Sequence, residues 1–313
     1  HSCIPSSYPH MCILDNVNYS QHNSKAHIFP KGYPHVRIIN NGWLVQKQSR
    51  VEVLDAELYN KFDRPEALEL VDVDLQMLEI PRSLKLANLG FNHINQFAIE
   101  KAEGDPLLTY LDVTRNSITD LINVTSLVNL ETLYLVDNQI EIITRYALKG
   151  LKKLKILNLE GNNIVHVSME EFPRSLSFLK LFNNEIKELN YEQMTLPELE
   201  TLNLEHNYLQ TINTRALLQA MPKLTTFYIG GNLISHGELS ETITLLDRHN
   251  ISYKNENDPF GCNQENYAEE ICMQKHTHID RGWLTVIGLT VLVLLVGTVF
   301  VCIVWRVYIA MNK

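Results

Sequence analysis

Apolar and polar positions alternate along the chain in a repeating pattern of eleven residues. Seven segments carry apolar residues at positions 1, 4, 6 and 11 and an asparagine at position 9; they begin at Leu84, Leu108, Leu130, Leu154, Leu176, Leu199 and Leu224. The asparagines lie 22 to 25 residues apart. The alternation predicts a short strand in each segment, and the asparagine predicts a turn after it. Seven matches in register indicate a stack of repeats.

This pattern is typical of the leucine-rich repeat, a unit of roughly 20–29 residues. One repeat cannot bury its apolar face alone, so the repeats are expected to stack into an α/β solenoid of horseshoe form. The amide of each template asparagine is expected to bond backbone groups of the turn and to form a ladder down the stack. Two degenerate repeats are predicted upstream, at Val51/Val53/Leu58 and at Leu68/Val71/Val73/Leu78.

Four cysteines form two close pairs at the two ends of the repeats. The ends of a stack of this length stand on the order of 35–40 Å apart, whereas a disulfide needs Cα atoms within about 7 Å. The architecture therefore permits Cys3–Cys12 and Cys262–Cys272, and we expect a disulfide cap at each end. The fifth cysteine, Cys302, lies in a long apolar segment.

That segment runs from Trp283 to Trp305 without a charged residue. As a helix it would span roughly 34 Å, enough for the hydrocarbon layer of a bilayer, and tryptophans at its two ends suit the membrane interface. We therefore expect one C-terminal transmembrane helix. The predicted organisation is a cysteine cap and lead-in at 1–50, repeats at 51–235, a C-terminal cap with a closing helix at 236–272, a linker at 273–282, the membrane helix at 283–305 and a cytoplasmic tail at 306–313.

Three glycosylation sequons precede the apolar segment, at Asn18, Asn123 and Asn250. Together with the paired cysteines they favour an oxidising, extracellular environment. The expected location is the plasma membrane, crossed once, with the N-terminal domain outside. A cytosolic, tail-anchored scaffold is the alternative, and it requires free thiols and no glycans.

Charge and motifs restrict the chemistry. The net charge of −9 argues against a nucleic-acid binder. No catalytic motif, cofactor motif or metal-ligand spacing is found in the sequence, so we expect a protein that is not an enzyme and needs no cofactor or metal.

Function is therefore expected on the exposed side of the strands, which the horseshoe form makes concave. Template positions 3, 5 and 7 point outward there, and aromatic and apolar residues cluster at these positions on four successive repeats. Such a patch with a polar rim is typical of a binding site, although β-propensity alone also favours these residue types on strands. The predicted ligand-binding residues, termed the sheet-face patch, are Tyr110, Asp112, Tyr134, Val136, Ile156, Glu160, Phe178, Lys180 and Phe182.

The repeats, the cysteine caps and the final apolar segment resemble a type I membrane leucine-rich-repeat protein. Cys3 and Cys12 with eight residues between them, the degenerate repeats from Val51 to Leu78 and the stretch Gly90–Ile94 resemble the mosquito leucine-rich-repeat immune (LRIM) family. The resemblance implies extracellular innate defence, with a complement-like thioester protein or another leucine-rich-repeat protein as partner. The apolar segment replaces the coiled coil of the secreted members, which argues against coiled-coil pairing.

The predicted function is therefore cell-surface recognition of a protein ligand through the concave face. The alternative is a structural protein that acts in cell adhesion or matrix binding.

Overall fold

The computed structural model describes residues 1–4, 8–40, 48–101, 103–144, 146–190, 195–253, 267–268 and 271–272. The chain divides into two compact units, His1–Gln274 and Lys275–Lys313. All described residues belong to the first unit.

The described residues form short strands, three α-helices and three 3₁₀ helices. The strands are β1 (Met11–Leu14), β2 (Asn18–Tyr19), β3 (His35–Ile38), β4 (Arg50–Val51), β5 (Val53–Leu54), β6 (Ala67–Leu70), β7 (Met77–Ile80), β8 (Leu86–Asn88), β9 (Phe97–Ile99), β10 (Tyr110–Asp112), β11 (Thr132–Tyr134), β12 (Ile156–Asn158), β13 (His166–Ser168), β14 (Phe178–Lys180), β15 (Glu188–Asn190), β16 (Thr201–Asn203), β17 (Thr226–Tyr228), β18 (Tyr267–Ala268) and β19 (Ile271–Cys272). The helices are α1 (Ala56–Lys61), α2 (Thr214–Ala220) and α3 (His236–Arg248), with 3₁₀ turns at Ser24–Ala26, Val124–Ser126 and Met169–Glu171.

One parallel sheet of ten strands, termed the main sheet, runs through the unit in the order β1-β3-β6-β8-β10-β11-β12-β14-β16-β17. The middle residue of each repeat strand, such as Leu111, Leu133 or Leu157, is fully buried. Smaller pairings, β5-β7-β9 and β13-β15, lie outside the main sheet on the return segments. The predicted solenoid with a parallel sheet is confirmed.

The asparagine ladder is present. Asn162 accepts a hydrogen bond from the backbone N–H of Ile140 at 3.1 Å, and its Nδ2 donates to the carbonyls of Leu135 at 2.9 Å and Leu159 at 3.0 Å. Leu135 and Ile140 belong to the preceding repeat, so each amide joins two neighbours. The same arrangement recurs at Asn116, Asn184, Asn207 and Asn232.

The residue before each template asparagine adopts a left-handed conformation, with φ between 50° and 67°. This residue turns the chain so that the asparagine side chain enters the core. Glycine takes the conformation without strain at Gly161 and Gly231, and L-residues at the other five sites adopt it at a cost. Those five residues are Phe91, Arg115, Asp137, Asn183 and His206.

The main sheet begins upstream of residue 51, where the predicted repeat region starts. Strands β1 and β3 pair in register, Cys12 opposite Val36, and β3 pairs with β6. The first of these strands escapes the sequence template because buried Val17, not asparagine, occupies its ninth position. Ser49 replaces part of the ladder there, since its hydroxyl accepts from Val17 N at 3.3 Å and donates to the Ile39 carbonyl at 2.8 Å.

The register predicted for the degenerate repeats is wrong. Val51 and Val53 lie in β4 and β5, which do not belong to the main sheet. In the next repeat Leu68 pairs with Ala87, so the strand lies three residues earlier than predicted and Val73 takes the asparagine position. Asn92, from the next repeat, makes up for the missing asparagine, because its Oδ1 accepts hydrogen bonds from the backbone N–H groups of both Val73 and Leu75.

Short bridges cover both edges of the main sheet. At β1, Cys3 and Cys12 form the predicted disulfide with Cα atoms 5.1 Å apart, and Ile4 pairs antiparallel with Ile13. At β17, Thr226 pairs with Ser252.

Helix α3 is the closing helix predicted over residues 236–249. The side chain of Ser235 accepts from Glu238 N at its start, and Glu238 stands three residues after this N-cap. One apolar stripe, containing Leu239, Ile243 and Leu246, is buried.

Several predictions fall outside the described residues: Cys262, Cys302, the linker 273–282, the membrane helix 283–305 and the tail 306–313. Cys272 lies in β19, but its side chain is not described, so the pairing Cys262–Cys272 stays a prediction. Within the described ranges no helix combines the length and apolar character needed to cross a bilayer.

Candidate functional site

The exposed side of the main sheet, termed the sheet face, is built from the outer residues of each strand. Strand pairing aligns these residues into rows that run across the repeats. The first row contains Tyr110, Thr132, Ile156 and Phe178; the second contains Asp112, Tyr134, Asn158 and Lys180.

The structure brings all nine residues of the sheet-face patch onto this surface, and all nine are partly exposed. The rings of Tyr110 and Tyr134 lie 5.8 Å apart on adjacent strands. Lys180 Nζ lies 5.4 Å from the centroid of the Phe182 ring. The patch is therefore a continuous aromatic and apolar surface four repeats long, and ligand binding by it stays a prediction.

One ion pair stands within the patch. Lys180 Nζ lies 3.1 Å from Glu160 Oε2, and the two side chains are 19% and 28% exposed. This degree of burial makes the pair stronger than one on an open surface, where such pairs contribute little. The pair joins Lys180, which lies beside Phe182, to Glu160 and places both charge signs at the rim of the patch.

Tyr110 is the titratable group of the patch whose pKa is clearly shifted. Burial, followed by the charge of Asp112 and the neighbouring Tyr134 and Glu69, raises the pKa of Tyr110 to about 12. The phenol is therefore neutral at physiological pH and can donate a hydrogen bond to a ligand.

Asp112 has a structural task that the sequence did not reveal. Its Oδ1 accepts a hydrogen bond from the backbone N–H of Thr114 at 2.9 Å. Asn158 does the same for Glu160, and Asn203 does it for Glu205. The side chain at position 5 therefore stabilises the turn at the end of the strand. The recurrence of Asp and Asn at this position in the sequence was the signal that could have indicated this role.

The turns add residues that the sequence reasoning missed. The ring of His206 packs edge-on against Phe182, with centroids 5.0 Å apart, and extends the patch by one repeat. Along the same edge, Arg115 lies over the Phe91 ring at 5.0 Å and its Nε contacts Asp137 Oδ2 at 3.0 Å. The four added residues, Phe91, Arg115, Asp137 and His206, all occupy the left-handed position 8. The constant place of this position in the template was the signal that could have found them.

The three sequon asparagines are exposed. Asn18 lies in β2, and Asn250 has a left-handed backbone with φ 55°. Asn123 donates from Nδ2 to the Phe97 carbonyl at 2.5 Å, so a glycan on this nitrogen would alter that contact. Within the described part of the chain, no group of three or more His, Cys, Asp or Glu side chains could hold a metal ion.

A family model for the leucine rich repeat matches residues 128–186 and 174–234. Lumican of Oryctolagus cuniculus is 36% identical over 130 residues, which cover 40% of this chain and 67% of that sequence. Osteomodulin of Bos taurus is 31% identical over 135 residues, which cover 42% of this chain and 27% of its own length. The match likewise spans only 37% of lumican of Bos taurus.

Solved structures share the fold. The leucine-rich repeat domain of APL1B aligns with a TM-score of 0.58 at 17% identity and covers 84% of this chain and 71% of that one. An internalin of Listeria monocytogenes aligns with a TM-score of 0.51 at 19% identity, and the alignment covers 72% of this chain and 62% of the internalin chain. At these identities the likeness concerns the fold alone.

Proposed function

The chain belongs to the leucine-rich-repeat protein family, and from this premise we propose that it recognises a protein ligand through the sheet face. The observation that carries the proposal is the sheet-face patch. Large aromatic and apolar side chains stand half-exposed on four successive strands, held in register by the buried leucines between them. The proposed activity is binding and not catalysis.

The composition of the patch suits a protein partner. Tyrosine and phenylalanine bury large areas with few rotatable bonds, and they are frequent among the residues that dominate binding energy. The Glu160–Lys180 pair and the Asp112 carboxylate supply polar contacts at the rim, which set the orientation of a partner. A partner with an apolar centre and both charge signs around it would be complementary.

We further propose that the solenoid acts outside the cell on the plasma membrane, anchored once by residues 283–305. Support for the extracellular environment comes from the Cys3–Cys12 disulfide and the exposed sequon asparagines. Support for the anchor comes from the uncharged segment between Trp283 and Trp305.

The proposed biological setting is innate defence, with a complement-like thioester protein or another leucine-rich-repeat protein as partner. Its support is the resemblance of the N-terminal cysteine spacing and early repeats to the mosquito LRIM family. Adhesion or matrix binding is the competing function, and the second copy of this chain in the experiment below tests adhesion.

The test uses the full chain immobilised in detergent or nanodiscs. Binding is measured by biolayer interferometry against a purified complement-like thioester protein, a second leucine-rich-repeat protein and a second copy of this chain. The variant Tyr134→Ser with Phe178→Ser removes two of the aromatic side chains of the patch. Since such central aromatic residues contribute about 2 kcal/mol each, and so about 4 kcal/mol together, affinity for the true partner should fall roughly 1,000-fold.

Ile142→Ser with Tyr146→Ser is the matched control. These residues are 67% and 63% exposed and lie outside the strands of the main sheet. The control should bind like the parent chain. Equal losses in the two double variants would refute sheet-face recognition, and binding confined to the second copy of this chain would establish adhesion.

A further inference from the structure

A cavity of about 380 Å³ opens at the edge of the solenoid, away from the sheet face. It lies between the return segments that lead into β12 and β14. Three cations, Lys149, Lys152 and Arg174, line it together with Glu170. Its apolar wall is formed by Phe172 and Pro173, both buried.

The repeat register places two of the cations side by side. Ile156 pairs with Phe178, and Lys152 and Arg174 each stand four residues before these strand residues. They therefore occupy the same position in adjacent repeats, whose backbones are about 4.8 Å apart. An ammonium group and a guanidinium group can thus reach one anionic group from neighbouring repeats.

These cations differ from three other basic residues at the same edge. Lys85, Lys155 and Lys223 each contact a carboxylate, at 3.0, 3.0 and 2.6 Å. Among the described residues, by contrast, none of the three cavity cations makes a salt bridge. Lys149 lies 5.4 Å from the Tyr146 ring, and Arg174 donates to the Thr195 hydroxyl at 3.1 Å.

This clustering stands out in a chain with a net charge of −9. Along the same edge, the carboxylates of Glu131 and Glu198 pair with Lys155 and Lys223. A negatively charged ligand is therefore the natural partner for the cavity.

We propose that the cavity binds a sulfated sugar unit of a glycan chain. The sulfate would lie between Lys152 and Arg174, because the planar guanidinium fork matches oxyanion geometry and the ammonium adds a point charge. The cavity volume is at the lower end of the range for small-molecule sites, which suits one or two sugar rings. The wall at Phe172 and Pro173 offers an apolar surface to a ring face.

Glu170 favours a sugar over a bare anion. A carboxylate repels a free sulfate or phosphate, but it accepts hydrogen bonds from sugar hydroxyl groups. The combination of cations and one acceptor in the same cavity therefore fits a ligand that carries both sulfate and hydroxyl groups.

The test is isothermal titration calorimetry of the full chain with a heparin-derived sulfated tetrasaccharide. Lys152→Gln with Arg174→Gln should weaken binding at least tenfold. Lys85→Gln with Lys223→Gln removes an equal number of positive charges from the same edge and should change affinity less than twofold. Equal losses in both pairs, or an unchanged affinity in the first, would overturn the proposal.

Glu170→Gln separates the ligand chemistries. We expect it to weaken tetrasaccharide binding at least threefold and to strengthen the binding of inorganic sulfate. Tighter binding of both would reduce the site to a simple anion site. Vesicles containing phosphatidylserine form the last arm: dependence on Lys152 and Arg174 for vesicles, without tetrasaccharide binding, would assign the cavity to membranes instead.

Discussion

Replacing Asn162 by alanine tests how much the asparagine ladder contributes to stability. Asn162 is 6% exposed and bonds four backbone groups: it accepts from the N–H of Ile140 and donates to the carbonyls of Leu135, Leu159 and Glu160. The Glu160 carbonyl also accepts from the backbone N–H of Asp137 at 2.8 Å, so it stays satisfied in the variant. The Leu159 carbonyl keeps a second donor, Asn184 Nδ2 at 3.0 Å. The N–H of Ile140 and the carbonyl of Leu135 have no other partner among the described residues. The variant therefore leaves two buried groups unsatisfied.

Each unsatisfied buried group costs about 1–3 kcal/mol, so Asn162→Ala should lower the free energy of unfolding by about 2–6 kcal/mol. Urea unfolding of the full chain, followed by far-UV circular dichroism, measures this change. Asn158→Ala is the matched control in the same repeat. Asn158 is half-exposed and accepts one bond, from Glu160 N at 3.0 Å, which water can replace.

The control should cost about 0.5–1 kcal/mol. A loss in Asn162→Ala no larger than that in Asn158→Ala would refute the reasoning, because the buried amide would then contribute no more than an exposed one.

Two further predictions concern the patch and the N-terminal end. Because the folded-state pKa of Tyr110 is raised from 10.0 to about 12, its contribution to stability is complete below pH 10 and is lost as the pH rises towards 12. Burial also raises the pKa of Tyr19 and of Tyr59, so phenolate absorbance should show several late-titrating tyrosines, and Tyr110→Phe should show one fewer. An identical late titration in the variant would contradict this. Cys12→Ser removes a short cross-link and should cost about 2–3 kcal/mol. Hydrogen exchange should accelerate mainly at Met11–Leu14, and an unchanged rate there would argue against a capping role.

The seven template repeats could be predicted in register because the asparagine marks each turn. Once the asparagines are aligned, the period of two along a strand decides which residues face outward, so the residues of the sheet-face patch could be predicted from the sequence. Asn162 and its equivalents then bond as the pattern implied, because a buried amide has few other ways to be satisfied.

The early repeats were harder to predict because they lack this asparagine. Where Val17 and Val73 occupy the asparagine position, the sequence loses its register mark, and both Leu70 and Val71 are apolar candidates for the inward position. The structure resolves the choice by pairing Leu68 with Ala87. The contact of His206 with Phe182 also could not be predicted, since the direction of a left-handed turn residue depends on the neighbouring repeat.

The bridges at the two edges of the main sheet have a consequence for self-association. An open edge of a parallel sheet offers unpaired N–H and C=O groups to a second molecule and can seed filaments. Here Ile4 lies across β1 in the antiparallel direction and Ser252 lies along β17. The Cys3–Cys12 bond holds the first of these in place, so an oxidising environment also keeps one end of the solenoid closed to end-to-end polymerisation.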